Sequence, residues 1–238
     1  MKSSTTSVEK IGRYNKWLKQ EYAYNSGQER RSLLGERELV TFEILFRAGG
    51  YPEITGIDRN GNARIPILVD AGCGDRYLES AVTSRALKYV GLDIDDVDFE
   101  TDSWPIENEG ADIVVSLAVL EHLHDPSQFL QEIRRVLRPR GVLILSTPNW
   151  RYSASIFYND PTHVQPYTSI AVESLLTIHG FEKISTFPGA RCKPSWFYKG
   201  SQRFRKCYFL LPFRGDTKWA PRLLRGHARS LFAVAIST

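Results

Sequence analysis

Gly72 and Gly74 stand on either side of Cys73, directly after the apolar run "ILVD" at residues 67–70. Glycine reaches backbone angles closed to other residues and leaves room for another molecule's atoms. A second run, "YVGLDID", carries Asp93 twenty-one positions after Gly72. If the two runs are neighbouring parallel strands, a carboxylate sits beside the glycine turn and can accept two hydrogen bonds from a ribose diol. The same residues would also suit a tight strand-to-helix turn and an exposed turn aspartate.

The type of nucleoside follows from what is missing. A dinucleotide fingerprint places a third glycine where this chain has Tyr77, whose bulk disfavours a pyrophosphate on the helix N-terminus. A nucleoside with a short zwitterionic tail fits better, and S-adenosylmethionine is such a ligand.

These residues need strands and helices to position them. "ILVD" reads as a strand buried on both faces, "YVGLDID" (89–95) as a second and "VDFETD" (97–102) as a third. "ADIVVSLAV" (111–119) is a fourth and "VLILSTP" (142–148) a fifth, with "EKISTF" and "SLFAVAIST" last. Between the fourth and fifth, "DPSQFLQEIRRVLRPRG" reads as a helix presenting Phe129, Leu130, Ile133, Val136 and Leu137 on one face, ended by Pro139 and Gly141. "TSIAVESLLTIHGF" is another amphipathic helix. Strands alternating with helices predict a doubly wound α/β fold with a mostly parallel sheet. Residues 1–50 read as an N-terminal helical cover and 51–238 as the main domain, with a loop turning at Asn60-Gly61.

Several motifs in order resemble the class I S-adenosylmethionine-dependent methyltransferases, particularly the type 11 and type 12 groups, over roughly residues 66 to 187. "ILVDAGCG" is similar to the cofactor motif and "YVGLDID" to the ribose-binding strand end. "DSWPIENEGADIVVSLAVLEHLHDPSQFLQEIRRVLRPRGVLILSTPN" resembles the long central signature, and "YTSIAVESLLTIHGFEKI" the helix and strand after it. The resemblance implies a seven-stranded Rossmann-like sheet with an antiparallel last strand, and S-adenosylmethionine as cofactor. It implies that Asp70, Gly72 and Gly74 border the methionine part, that Asp93 binds the ribose and that Ile94 packs on the adenine. Asp102 and Ser103 would lie near the adenine amine, with Glu100 an alternative to Asp102. Ser116, Leu117 and Ala118 would line the pocket below the sulfonium. Many members carry a further glycine where this chain has Arg76, which either pairs with an acid or is solvated.

Methyl transfer from a sulfonium is an in-line displacement that mainly needs alignment and exclusion of water. A base is required when the nucleophile is a hydroxyl. His122, beside Glu121 in "AVLEHLHDP", and His163, in the loop "FYNDPTHVQPYT" with Asp160 and Tyr167, are the candidate catalytic residues. Each equally suits a structural role. No metal-ligand spacing is evident, so no metal is expected. Cys73 reads as a small packed residue.

Composition bounds the rest. The 238 residues allow about one domain, and three scattered cysteines suggest a reducing compartment. The polar start and the lack of a membrane-spanning run predict a cytoplasmic protein. Residues 191–229 hold eleven Lys or Arg against the single acid Asp216, whereas the other residues sum to −6. This basic, aromatic insertion (189–229) suits single-stranded RNA, an anionic membrane surface that would make the protein peripheral, or a phosphorylated or lipid-linked acceptor. It equally suits an ordinary cap. The expected function is S-adenosylmethionine-dependent methylation of a hydroxyl on a small-molecule, glycan or lipid-linked acceptor. The alternatives are a non-catalytic module that binds membrane or RNA, and a nicotinamide-dependent oxidoreductase.

Overall fold

The computed structural model describes residues 63–189 and 229–238, with positions 35, 38, 39, 42, 201, 204, 207, 211, 213, 219, 221 and 224. Six strands, β1 (Ile67–Ala71), β2 (Lys88–Leu92), β3 (Ala111–Leu117), β4 (Leu137–Pro148), β5 (Phe181–Gly189) and β6 (Ser230–Ser237), form one sheet in the order β2-β1-β3-β4-β6-β5. β2, β1, β3 and β4 pair in parallel, and β6 runs antiparallel to both β4 and β5. The expected antiparallel last strand is therefore present. The chain leaves β1 to one side for β2 and returns across it to β3, so β1 is the switch point where such sheets bind ligands.

Side-chain alternation divides the core between the sheet's two faces. Leu68, Ile113, Val115, Val142, Ile144, Phe232 and Val234 pack with Leu78, Ala81 and Val82, around the short helix α1 (Glu79–Thr83). Val69, Val114, Leu143, Leu145, Ala233 and Ala235 pack on the opposite side against α2 (Ser127–Val136) and α4 (Ser169–Ile178). A four-residue helix, α3 (Trp150–Ser153), follows β4. Helices on both faces give the doubly wound arrangement. Gly35, Glu38, Leu39 and Phe42 are helical, and Leu39 and Phe42 are buried in the first of these clusters. The remainder of the expected cover, its boundary with the domain near residue 50 and the turn at Asn60-Gly61 lie outside the described residues.

Two expectations need correction. The described residues form six strands rather than seven, because 97–102 is a turn. Its carboxylates capture its own amides: Asp98 Oδ1 accepts from the Glu100 amide and Asp102 Oδ2 from the Asp98 amide, each at 2.9 Å. Such local bonds compete with a strand ladder. The helix before β4 ends at Val136, ahead of Pro139, since Leu137 is already extended and pairs with Ala111. Pro139 has no amide to donate and Arg140 takes a positive φ of 65°, so the ladder resumes only at Val142.

Candidate cofactor and acceptor site

The register fixes the relation between the two sequence motifs. Ala71 pairs with Leu92, so Gly72 and Asp93 follow at adjacent strand tips. The Gly72 and Cys73 amides both donate to the Leu92 carbonyl, at 2.8 and 3.0 Å, which locks the turn onto β2. Gly72 has φ +84°, and a Cβ there would lie 2.2 Å from Val119 Cγ2. Gly74 has φ +52°, but a Cβ there would meet nothing within 4 Å. Gly72 is thus required by close packing and Gly74 by backbone angle beside open space, the arrangement a bound nucleoside tail needs. Arg76, although not a glycine, also takes a left-handed conformation, at φ 57°. Its guanidinium pairs with Glu79 at 3.0 Å and covers the Tyr89 ring, 5.0 Å from the centroid.

These two glycines predict separable defects. Gly72→Ala combines overpacking against Val119 with a positive-φ penalty, a loss of about 2–4 kcal/mol. Gly74→Ala carries only the backbone penalty of about 1–2 kcal/mol, and its main cost falls on cofactor affinity. Chemical denaturation and a cofactor titration of both variants check this; equal midpoints would contradict it.

The acids differ in their surroundings. Asp70 is 1% exposed and accepts a hydrogen bond from the Tyr89 hydroxyl at 2.8 Å, yet burial pushes its carboxyl up to about 7. Burial, then Asp70 and Asp93, push the Cys73 thiol up to about 12, which suits packing rather than nucleophilic attack. Asp93, 8% exposed, accepts from the Ile94 amide through Oδ1, and its own amide donates to Asp96 Oδ2, both at 2.9 Å. These bonds set the carboxylate at the strand tip with half-buried Ile94 beside it. Asp102 and Ser103 are exposed, and Asp102 caps its own turn as described. Glu100 Oε1 accepts from the His124 and Asp125 amides at 2.7 and 2.8 Å, tying this turn to the loop after β3.

Beyond β3 the chain crosses the glycine turn through Val119 and makes a single 3₁₀ turn, Leu120–His122. Ser116, Glu121, Thr147 and Tyr167 carry buried side-chain oxygens without a hydrogen-bond partner of ordinary geometry. Such groups are uncommon in folded proteins and call for an explanation. Leu117 is half-buried, and Ala118 at φ 59° holds a left-handed conformation worth about 1–3 kcal/mol of strain. Glu121 is 1% exposed; burial raises its carboxyl to about 7, while its own backbone amide and Thr147 oppose this. The His122 and His163 rings lie 4.8 Å apart between centroids, and His163 Nε2 is 4.0 Å from Glu121 Oε1 and 3.9 Å from Asp160 Oδ2. Burial, then His163, holds His122 below the usual imidazole range. The sequence placed Glu121 beside His122 and named His163 separately, but did not bring His163 to that pair. No periodicity links residue 121 to residue 163; the Val164 and Gln165 amides, both donating to the Glu121 carbonyl, make that link in space.

The basic insertion enters from the same rim. β6 begins where β4 ends, Ser230 pairing with both Pro148 and Gly189, and the Asn149 amide donates to the Arg229 carbonyl at 2.7 Å. The segment between Gly189 and Arg229 therefore leaves and rejoins the sheet at the strand tips that carry the site. Most of its residues lie outside the described ones, but Phe213 and Trp219 meet edge to face at 4.9 Å and Trp219 is 78% exposed.

A sheet reversed only at its last strand, with a glycine turn at β1 and an acid at the tip of β2, defines the class I S-adenosylmethionine-dependent methyltransferase fold. Residues 54–186 match the family described as "Methyltransferase domain", and the chain belongs to that family. It is 33% identical over 144 residues to a probable S-adenosylmethionine-dependent methyltransferase of Mycolicibacterium smegmatis, covering 52% of this chain and 56% of that protein. A probable S-adenosylmethionine-dependent methyltransferase of Mycobacterium tuberculosis is 28% identical over 136 residues, 50% of this chain and 49% of that one. The chain thus spans about half the length of these curated relatives. Among solved structures, a SAM-dependent methyltransferase from Archaeoglobus fulgidus superposes with a TM-score of 0.54 at 18% identity, covering 92% of this chain and 99% of that one. S-adenosylmethionine is the cofactor named for all three. The open backbone at Gly74 and the acid at the neighbouring strand tip fit it.

Proposed function

We propose that the chain transfers a methyl group from S-adenosylmethionine to a hydroxyl of an anionic small-molecule, glycan or lipid-linked acceptor. The observation that supports this reading is the contact of Val119 with Gly72, which brings the segment leading into Glu121 and His122 against the glycine turn, with His163 close to both. Asp70 and the Gly72–Gly74 backbone would hold the methionine part, Asp93 the ribose and Ile94 the adenine, with Ser116 and Leu117 beneath the sulfonium. Asp102 and Ser103 would flank the adenine edge.

Bound S-adenosylmethionine supplies a methyl carbon activated by positive sulfur. The protein aligns the acceptor oxygen with that carbon, excludes water and removes the hydroxyl proton, a task for the His122–His163 pair. The insertion's net +10 at the same rim favours an acceptor carrying phosphate or another anion. A membrane-embedded acceptor would make the protein peripheral to an anionic bilayer; no helix among the described residues is long and apolar enough to cross one.

Methyl-labelled cofactor incubated with a cell extract tests this. Label in an anionic, base-stable methyl ether, with turnover falling as salt screens the insertion, is the expected result. Label in RNA would redirect the acceptor assignment. Cofactor binding without any labelled product would favour a non-catalytic module, and binding of a nicotinamide dinucleotide instead would favour an oxidoreductase.

A further inference from the structure

We propose that Glu121, His122 and His163 form a binding site for one first-row transition-metal dication, zinc or a close relative. The argument starts from proton positions. Thr162 Oγ1 donates to Asp160 Oδ1 at 2.6 Å, so the same oxygen can only accept from His122 Nδ1, 2.9 Å away. The Thr162 carbonyl, 3.2 Å from that nitrogen, also can only accept. His122 therefore carries its proton on Nδ1. His163 Nδ1 lies 2.8 Å from the Phe157 carbonyl and is a donor for the same reason. Both neutral rings are left with a lone pair on Nε2.

Those lone pairs share a chamber with the buried Glu121 carboxylate, whose oxygens lack a hydrogen-bond partner of ordinary geometry. One ligand atom from each of the three residues lies within 4.8 Å of the others. Once Glu121 is ionised, its oxygens and the two Nε2 lone pairs are all acceptors facing one another, and a cation resolves that conflict. A Glu–His proton relay would place the carboxylate on a ring N–H, but here both Nδ1–H groups point to Thr162 and Phe157. Main-chain oxygens on the distal ring nitrogens are the usual means of orienting metal-bound histidines. Two imidazoles and one carboxylate suit zinc, manganese or iron(II) better than magnesium or calcium, which prefer oxygen ligands. An ion bonded at about 2.1 Å would draw the ligand atoms to roughly 3.4 Å apart, a contraction of up to about 1.4 Å. Asp160 Oδ2, 3.9 Å from His163 Nε2, adds a second negative charge to balance the ion.

The chemical consequence rests on the methyl-transfer reading; the binding site does not. Three protein ligands leave a coordination position for the acceptor. A hydroxyl in that position would acidify and release its proton to solvent, so with the ion bound His122 and His163 would serve as its ligands instead of as the base. Its oxygen then forms the bond to the methyl carbon as the carbon–sulfur bond breaks, and the electron pair leaves on sulfur to give S-adenosylhomocysteine.

The test uses untagged full-length chain, stripped with chelator and titrated with cobalt(II), then zinc. We expect one equivalent of cobalt with a visible ligand-field band, displaced by zinc. His122→Gln, His163→Gln and the isosteric Glu121→Gln should each weaken binding about 100-fold or more while circular dichroism is unchanged. His124→Gln, an exposed control, should leave it unaltered. Substoichiometric cobalt without the band, unchanged affinity in both histidine variants, or loss of binding in His124→Gln would overturn the site. Calorimetry of S-adenosylmethionine with the metal-free protein separates the two claims: no cofactor binding beside intact cobalt binding removes the methyl-transfer reading and supports this site alone.

Discussion

The Asp93→Ala protein is expected to stay folded and to bind S-adenosylmethionine about 100-fold or more weakly. A carboxylate accepting two ribose hydroxyls makes two charge-assisted hydrogen bonds, each worth about 1.5–3 kcal/mol, and tenfold in affinity corresponds to about 1.4 kcal/mol. The fold loses much less. Asp93 Oδ1 accepts a local bond from the Ile94 amide, and the backbone bonds that hold the turn, from the Asp96 and Val97 amides to the Asp93 carbonyl, survive the substitution. Truncation also relieves the repulsion between this acid and buried Asp70. Asp93→Asn should fall between the two, since an amide oxygen accepts without the charge. A calorimetric titration reads the effect; a change within about threefold would show that the ribose is held elsewhere.

The position of Asp93 at a strand tip beside the glycine turn could be read from sequence because everything it depends on is local or periodic. "ILVD" and "YVGLD" are continuous apolar runs, and twenty-one residues leave room for one crossover. The Ala71–Leu92 pairing then follows with little freedom. Residues 97–102 misled because Val97 and Phe99 alternate with acids as a half-buried strand would. Both side chains are indeed buried, but the Asp98 and Glu100 amides beside them bond to Asp102 and Asp98 rather than to a neighbouring strand. The Glu121–His163 chamber had no signal of this kind: its members approach through the packing of two irregular loops, about forty residues apart in the chain. The place where the basic segment meets the sheet depended on the direction of β6. Once that strand is antiparallel, Ser230 must lie at the tip of β4, which fixes where the chain rejoins the sheet after the insertion.

The same strand tips account for the second large effect. Asp70→Asn should make the cofactor-free protein more stable above neutral pH while weakening its hold on S-adenosylmethionine. The folded carboxyl titrates near 7 against an ordinary 3.8, because burial outweighs the Tyr89 hydrogen bond, with Asp93 and Asp75 pushing further up and Arg76 down. The folded state therefore keeps a proton that the unfolded chain has already lost. The associated stability is complete below about pH 4 and disappears as pH rises through about 7, a total on the order of 4 kcal/mol. Asparagine fits the same space, can still accept from Tyr89 and never ionises, so its stability lacks this slope. Denaturant titrations at pH 5 and pH 8 should show the wild type losing about 3 kcal/mol more than the variant across that interval. In the proposed site the cofactor ammonium would lie beside Asp70 and make its ionised form favourable. Wild-type affinity should then rise from pH 5.5 towards 8, with proton release detectable in buffers of different ionisation enthalpy, while the variant binds weakly and without that dependence. Parallel stability slopes in the two proteins would place the buried proton somewhere other than Asp70.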